Sequence, residues 1–278
     1  MGNRLSFTEV GKTVENYRYD GSAGLHGDMS SMPHLPSLEW DYRDLLQASS
    51  KQIVTNGGTP ETTYYVYDSS GNRVRKVTEG YAPSNERITR RNERLYIGGF
   101  EVYREYMHDG SVALERESLS LLDDQQRLAI VETRTVGTDR SSPQLIRYQI
   151  SNQLGSATIE LDQEAKLITY EEYFPFGSSS YRVVDKDSEI PKRYRYTGKE
   201  RDDETGLYYN GARYYASWLG RWTSSDPSGI RGGLNTFAMS ITIRSITWIP
   251  QVTCHGKFRG DSLLSAPQLQ LFSLVSLS

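Results

Sequence analysis

Three related phrases recur at unequal intervals early in the chain: Tyr17-Arg-Tyr19-Asp20, Leu38-Glu-Trp40-Asp41 and Tyr65-Val-Tyr67-Asp68-Ser-Ser-Gly71-Asn72. Each reads aromatic-x-aromatic-Asp, the middle one in degenerate form. Side chains alternate along a strand, so both large residues of a phrase share one face, while Asp followed by Gly-Asn supplies turn chemistry. A chain punctuated in this way folds as short strands closed by tight turns, and the unequal spacing suits loose repeats better than a strict solenoid. Further strands are expected at Leu95–Ile97, Phe100–Tyr106, Val112–Leu114, Arg127–Thr135, Leu145–Ile150, Ala157–Leu161 and Leu167–Tyr173, divided by Gly-Gly, Asp-Gly, Asp-Asp and Asn-Gln-Leu-Gly breaks. The 20 tyrosines against 7 phenylalanines suit half-buried sheet faces with hydroxyls at the edge. No segment carries a sustained helical stripe of apolar residues. The Ser/Asp-rich stretch from Ser178 to Pro191 reads as an exposed connection.

The densest segment follows. It runs Arg193-Tyr-Arg-Tyr-Thr-Gly198-Lys-Glu-Arg-Asp202-Asp203-Glu-Thr-Gly206-Leu-Tyr-Tyr-Asn-Gly211-Ala-Arg-Tyr-Tyr-Ala-Ser-Trp-Leu-Gly220-Arg-Trp-Thr-Ser-Ser-Asp226-Pro-Ser-Gly229. This segment resembles the core of Rhs/YD-repeat proteins, and within them the C component (TccC-type) of insecticidal Tc toxin complexes. Tyr96-Ile-Gly-Gly-Phe-Glu-Val-Tyr103, Asn152-Gln-Leu-Gly155 and Tyr170-Glu-Glu-Tyr-Phe-Pro-Phe-Gly177 match the same group in order, so the likeness covers residues 1 to 238. It implies a mainly β protein, an antiparallel meander of YD repeats forming part of a spiral β-shell or cocoon, with a compact aromatic-rich core segment. The expected divisions are a repeat region over 1–190, an Rhs core over 191–238 and a tail over 239–278. Full members of the group are several times longer, and the chain is therefore expected to be a fragment holding the last turns of a shell, with a strand edge left open for docking or aggregation.

In the resembling toxins a pair of core aspartates cuts the chain once after an Asp-Pro-x-Gly motif, leaving the toxin inside the shell. The positions that match are Asp203 and Asp226, with Asp202 as a substitute for Asp203. Two carboxylates within ~3 Å share a proton, so that one activates water while the other protonates the carbonyl. The plain alternatives are an Asp226 that merely accepts backbone hydrogen bonds in a Ser-Asp-Pro-Ser-Gly turn, and a solvated acidic turn at Asp202, Asp203 and Glu204. Arg193, Arg195, Arg201, Arg213 and Arg221 alternate with tyrosines and tryptophans. A base-stacking surface is one reading of this mixture, but the neighbouring acids favour a structural plug with guanidinium groups lying on rings.

All 20 tyrosines and every acidic residue but Asp261 precede residue 239. The tail from Met239 to Ser278 has another composition and ends in an uncharged Ser/Leu-rich run. A permitted reverse translation of Met239 to Val252, with one nucleotide restored ahead of codon 239, reads Tyr-Val-Asn-Asn-Asn-Pro-Ile-Asn-Tyr-Met-Asp-Pro-Ala-Gly, the motif that the resemblance leads one to expect. The tail is accordingly expected to be out of frame. The cleavage motif is absent from it as translated, and productive self-cleavage is not expected.

A net charge of −3 provides no broad cationic field, so nucleic acid is not an expected partner. No run approaches the ~18 apolar residues of a membrane span, and Met1 to Val10 lacks the apolar centre of a signal peptide. The resemblance implies a secreted or cell-surface complex, and the leaderless chain as it stands a cytoplasmic one. A single cysteine, Cys254, excludes an intrachain disulfide, and four scattered histidines show no zinc-ligand spacing, so neither a metal nor a cofactor is expected. No Gly-x-Gly-x-x-Gly, Gly-x-x-x-x-Gly-Lys-Ser/Thr or Gly-x-Ser-x-Gly pattern occurs, since Gly11-Lys12-Thr13 has Ser6 where the loop needs its first glycine. The expected function is a shell fragment of a toxin-delivery protein that once enclosed a C-terminal toxin. Its expected partners are a larger Tc B-type shell component, or the missing N-terminal shell half, and the lost cargo. Two alternatives are a single-turnover aspartyl autoprotease, and a carbohydrate- or protein-binding module of a cell-surface YD-repeat protein.

Overall fold

Turn chemistry dictates the architecture. In the computed structural model, which describes residues 3–239 apart from 20, 125, 186–190 and 233, the aspartates that close the aromatic phrases cap their turns. Asp41 Oδ1 accepts from the backbone N–H groups of Arg43 and Leu45, and Asp68 Oδ1 from those of Ser70 and Asn72. The same i+2 and i+4 pattern recurs at Asn152 and Asp162. A side chain that satisfies two turn N–H groups fixes where each strand ends and therefore which residues face inward. Asp20, the first of the three phrase aspartates, lies outside the described residues, and among the described residues its phrase forms a single bridge, Arg18 to Ser31.

The strands are β1 (Phe7–Val10), β2 (Thr13–Asn16), β3 (Ser37–Trp40), β4 (Leu46–Ser50), β5 (Thr62–Tyr67), β6 (Arg73–Glu79), β7 (Arg90–Ile97), β8 (Phe100–Tyr106) and β9 (Val112–Asp123). They continue as β10 (Gln126–Val136), β11 (Gln144–Ser151), β12 (Ala157–Leu161), β13 (Leu167–Tyr173), β14 (Ser179–Val184), β15 (Glu200–Arg201), β16 (Tyr208–Tyr209), β17 (Tyr214–Ala216) and β18 (Arg221–Trp222). A six-residue helix, α1 (Gly21–His26), separates β2 from β3. Strands β3 to β14 form one 12-stranded antiparallel sheet in strict sequence order, β1 and β2 make a hairpin, and β15 to β18 make a small four-stranded sheet. The mainly β antiparallel meander is thus the fold. Gly98, at φ +62°, turns β7 into β8 with only two residues between the paired Ile97 and Phe100.

One expectation is corrected. The stretch after Ser178 is not wholly a connection, because β14 pairs with β13 over Thr169 to Tyr173. Its residues are all exposed, but Tyr181 and Val183 alternate on one face, and the ring of Tyr181 meets that of Tyr170 edge-on at 6.2 Å. The expected division near residue 190 and the expected out-of-frame tail beyond Met239 lie outside the described residues.

The larger apolar cluster lies at the first strands, and a smaller one of Tyr196, Tyr208 and Tyr215 packs with Tyr173 and Trp222. Met29, Met32, Leu35, Leu38, Leu46 and Tyr65 pack with Leu207, Tyr214 and Ala216 of the core segment, and each buried side chain of this size contributes ~1.5–3 kcal/mol. Further along, the covered face of the sheet changes character. Arg147 of β11 pairs with Glu132 of β10 at 2.9 Å and with Glu160 of β12 at 3.1 Å, all three buried. Gln149 and Thr169 donate the remaining bonds to Glu160. Opposite signs on neighbouring strands satisfy one another where an apolar row would be usual. Ile130, opposite Arg147, is buried among these charges, while Leu119, Leu121, Tyr148, Ile150 and Val183 are exposed on the other face.

Candidate functional site

The core segment lies on the sheet through ion pairs, and local backbone geometry aims them. Thr197 and Gly198 both take positive φ, turning the chain back into β15. Period-two alternation then points Glu200 and Asp202 to the buried side and Asp203 to solvent. Arg73, at the start of β6, enters between the two acids. It donates to Glu200 Oε2 at 2.7 Å and to Asp202 Oδ2 at 2.7 Å, and its guanidinium lies 4.3 Å over the Tyr209 ring. The hydroxyls of Tyr96 and Tyr214 accept its remaining bonds at 3.1 and 3.2 Å. Lys76, three residues further along β6, donates to Asp202 Oδ1 at 2.9 Å and approaches Glu204 at 2.8 Å.

Two more anchor points follow along the sheet. Arg193 donates to Glu101 of β8 at 2.6 Å, and Lys192 and Arg195 flank Glu171 of β13 at 3.4 and 3.3 Å. Burial pushes the Glu101 and Glu171 carboxyls up, but the cations beside them outweigh it and hold both below the usual range. Glu200 is held down in the same way against strong desolvation, by Arg73, Lys76 and Arg193.

The structure separates the three candidate aspartates. Asp202 is 0% exposed and both its oxygens are occupied by Arg73 and Lys76, so a solvated acidic turn is wrong for this residue: the alternation that exposes Asp203 buries Asp202. Asp203 lines a cavity of about 770 Å³ together with Lys76, Arg94, Arg116, Glu132 and Arg193. Its backbone carbonyl accepts from Lys51 Nζ. Asp226 is half-buried and holds its own turn, accepting from the Ser228 hydroxyl at 2.6 Å and the Ser228 N–H at 2.9 Å. Arg213 reaches its other oxygen at 3.0 Å. The Ser228 hydroxyl first, and then the Ser228 N–H and Arg213, hold the Asp226 carboxyl below its ordinary range despite partial burial. Among the described residues no hydrogen bond joins Asp226 to Asp202 or Asp203.

The arginines of the segment divide their roles. Arg213 lies over Trp222 at 4.1 Å, Arg193 over Tyr194 at 5.2 Å and Arg221 over Phe237 at 5.2 Å. Arg195 instead takes Glu171, and Arg201 donates to the Gly206 carbonyl at 3.1 Å. Reading the segment by itself misses Arg73, Lys76, Glu101 and Glu171, because their partners lie many strands away. The available signal was charge at inward-facing strand positions.

No family model matches the chain. Two curated relatives are toxin subunits of Yersinia entomophaga. YenC1 is 34% identical over 207 residues, 73% of this chain and 20% of its own length. YenC2 is 32% identical over 77% of this chain and 22% of its own length. The crystal structure of TcdB2-TccC3 superposes with a TM-score of 0.69 at 29% identity, over 78% of this chain and 10% of that one. The chain is an Rhs/Tc C-component-like protein. It spans about a fifth of the length of the curated relatives it matches. The Tc C-component-like likeness thus covers most of this chain and supports a Tc toxin shell-type component.

Proposed function

We propose that this chain is a wall segment of a secreted Tc-type shell, whose charged face would line the space for a C-terminal toxin and whose assembly partner would be a Tc B-type component of the kind seen in TcdB2-TccC3. The observation that carries this reading is the strictly sequential 12-stranded meander held to the core segment at Arg73, Glu101 and Glu171, in a chain similar to toxin subunits over most of its length. A charged, hydrogen-bonded lining suits an enclosed chain that must not stick to its container, since apolar linings bind exposed apolar segments. A segment swap tests it. Residues 3–239 replace the matching segment of TccC3, and the chimera is co-expressed with TcdB2. The expected result is a co-purifying complex whose C-terminal cargo resists added protease. A chimera that is folded by circular dichroism yet leaves its cargo exposed would sink the proposal.

The self-cleavage reading assigns Asp203 and Asp226 to one acid–base pair. It is supported by the family motif that both aspartates match and by the place of Asp203 on the cavity lining, and it requires the two carboxylates to come within hydrogen-bonding reach of one another.

A further inference from the structure

A second cluster lies beside Thr223 and Ser225 of the core segment, and nothing in the shell reading uses it. His26 at the end of α1, Asp28 two residues later and Asp44 in the β3–β4 turn place their ligand atoms within 4.8 Å of one another. The histidine Nδ1 is 2.6 Å from Asp44 Oδ1. The frame is held from behind: Met29 N–H donates to the Thr223 carbonyl at 2.9 Å, and the Ser225 hydroxyl to the His26 carbonyl at 3.0 Å. Gly27, at φ +94°, makes the corner between the two ligand-bearing residues, with a Cβ position only 3.4 Å from Ser225.

Asp28 is the decisive member. It is 1% exposed, and neither of its oxygens receives a hydrogen bond from any donor among the described residues. Its immediate neighbour is another acceptor, the carboxylate of Asp44, and the attraction of Arg4 acts without bonding either oxygen. Burying a carboxyl group without a partner is costly, and native structures supply a donor, a water or a cation. The side chains of His26 and Asp44 remain partly exposed, which leaves an entry path from solvent.

We propose that His26, Asp28 and Asp44 bind a divalent transition cation of the zinc class. One imidazole nitrogen and two carboxylates form a mixed N/O set that suits Zn²⁺ better than the all-oxygen shells of Ca²⁺ or Mg²⁺. Three protein ligands leave a fourth position for water. The cation would cross-link α1 to the β3–β4 turn beside the segment that leads to Asp226.

The test uses the full chain, stripped with chelator and titrated with ZnCl₂ by calorimetry, with MgCl₂ in parallel. The expected result is one saturable Zn²⁺ equivalent, weakened tenfold or more by Asp28→Asn and by His26→Ala and unchanged by Asp203→Asn. His26→Ala alters an exposed side chain and remains decisive if Asp28→Asn fails to fold. Three results would overturn the proposal: no saturable uptake, an equivalent that survives both substitutions, or Mg²⁺ bound as tightly as Zn²⁺. No uptake together with a raised melting temperature in Asp28→Asn would mean that a proton shared with Asp44, and not a metal, relieves the buried carboxyl.

Discussion

The guanidinium of Arg73 donates to Asp202 across 129 residues of sequence at 2.7 Å, with neither side chain exposed. This bond joins the strand after the third repeat phrase to the core segment, and Lys76 and Glu200 complete the cluster around it. Taking two charges out of water is expensive, so such a cluster stabilises chiefly by punishing the loss of any one member.

Asp202→Asn is therefore expected to lower the unfolding free energy by ~3–5 kcal/mol, the range for breaking a buried pair. Asp203→Asn, one residue on and exposed, is expected to change it by less than ~0.5 kcal/mol. Urea denaturation of the two variants checks the contrast, and equal effects would contradict the assignment of their faces.

Tyr214→Phe removes a hydroxyl that meets the Tyr67 hydroxyl at 3.1 Å and accepts from Arg73. The ring remains packed against Tyr65 and Tyr209. The expected cost is ~1–3 kcal/mol, that of leaving buried polar partners unsatisfied. Tyr214→Ala is expected to cost more, ~3–5 kcal/mol, by adding a cavity.

Stability is expected to fall in acid. Glu101, Glu171 and Glu200 all have folded-state carboxyls held below their ordinary range. A depressed carboxyl binds its proton less readily in the folded chain than in the unfolded one. Its contribution is present in full above the unfolded value of ~4.3 and is lost as pH falls through the folded values. The melting temperature should accordingly drop steeply below about pH 4, while Glu171→Gln should shallow that drop. A flat acid limb would remove the ion pairs from the account.

Gly177→Ala is expected to be severely destabilising. The residue takes φ +88°, and a Cβ there would fall 2.4 Å from the ring of Tyr196, which is buried and bonded to the Pro175 carbonyl at 2.7 Å. Backbone strain and overpacking act together, with an expected loss of ~2 kcal/mol or more, read by thermal denaturation.

Intact mass addresses self-cleavage. The chain as translated lacks the Asp-Pro-x-Gly motif in its tail, and a single intact mass is expected after long incubation at mildly acidic pH. A break between residues 238 and 252 that Asp226→Asn abolishes would instead establish the aspartyl autoprotease.

The repeats were legible before folding because their information is local. Alternating residues such as Tyr65 and Tyr67, with Asp68 capping the next turn, settle strand, face and hairpin within eight positions, and the meander follows from pairing each strand with the next. Phe100–Tyr106, Ala157–Leu161 and Leu167–Tyr173 are strands over the residues that their patterns mark. Nothing local told Asp202 from Asp203, because alternation says that neighbours face opposite ways without saying which faces in. That choice belonged to Arg73 and Lys76, placed by strand register far upstream. Likewise, His26, Asp28 and Asp44 carry no recognisable spacing, and only the meeting of a helix end with a distant turn, braced by Thr223 and Ser225, brings them together. Sequence alone determined the strands and their order, since those depend on periodicity and turns. Tertiary structure decided which charges are buried and paired, since desolvation and Coulomb attraction act through space between groups that the chain keeps far apart.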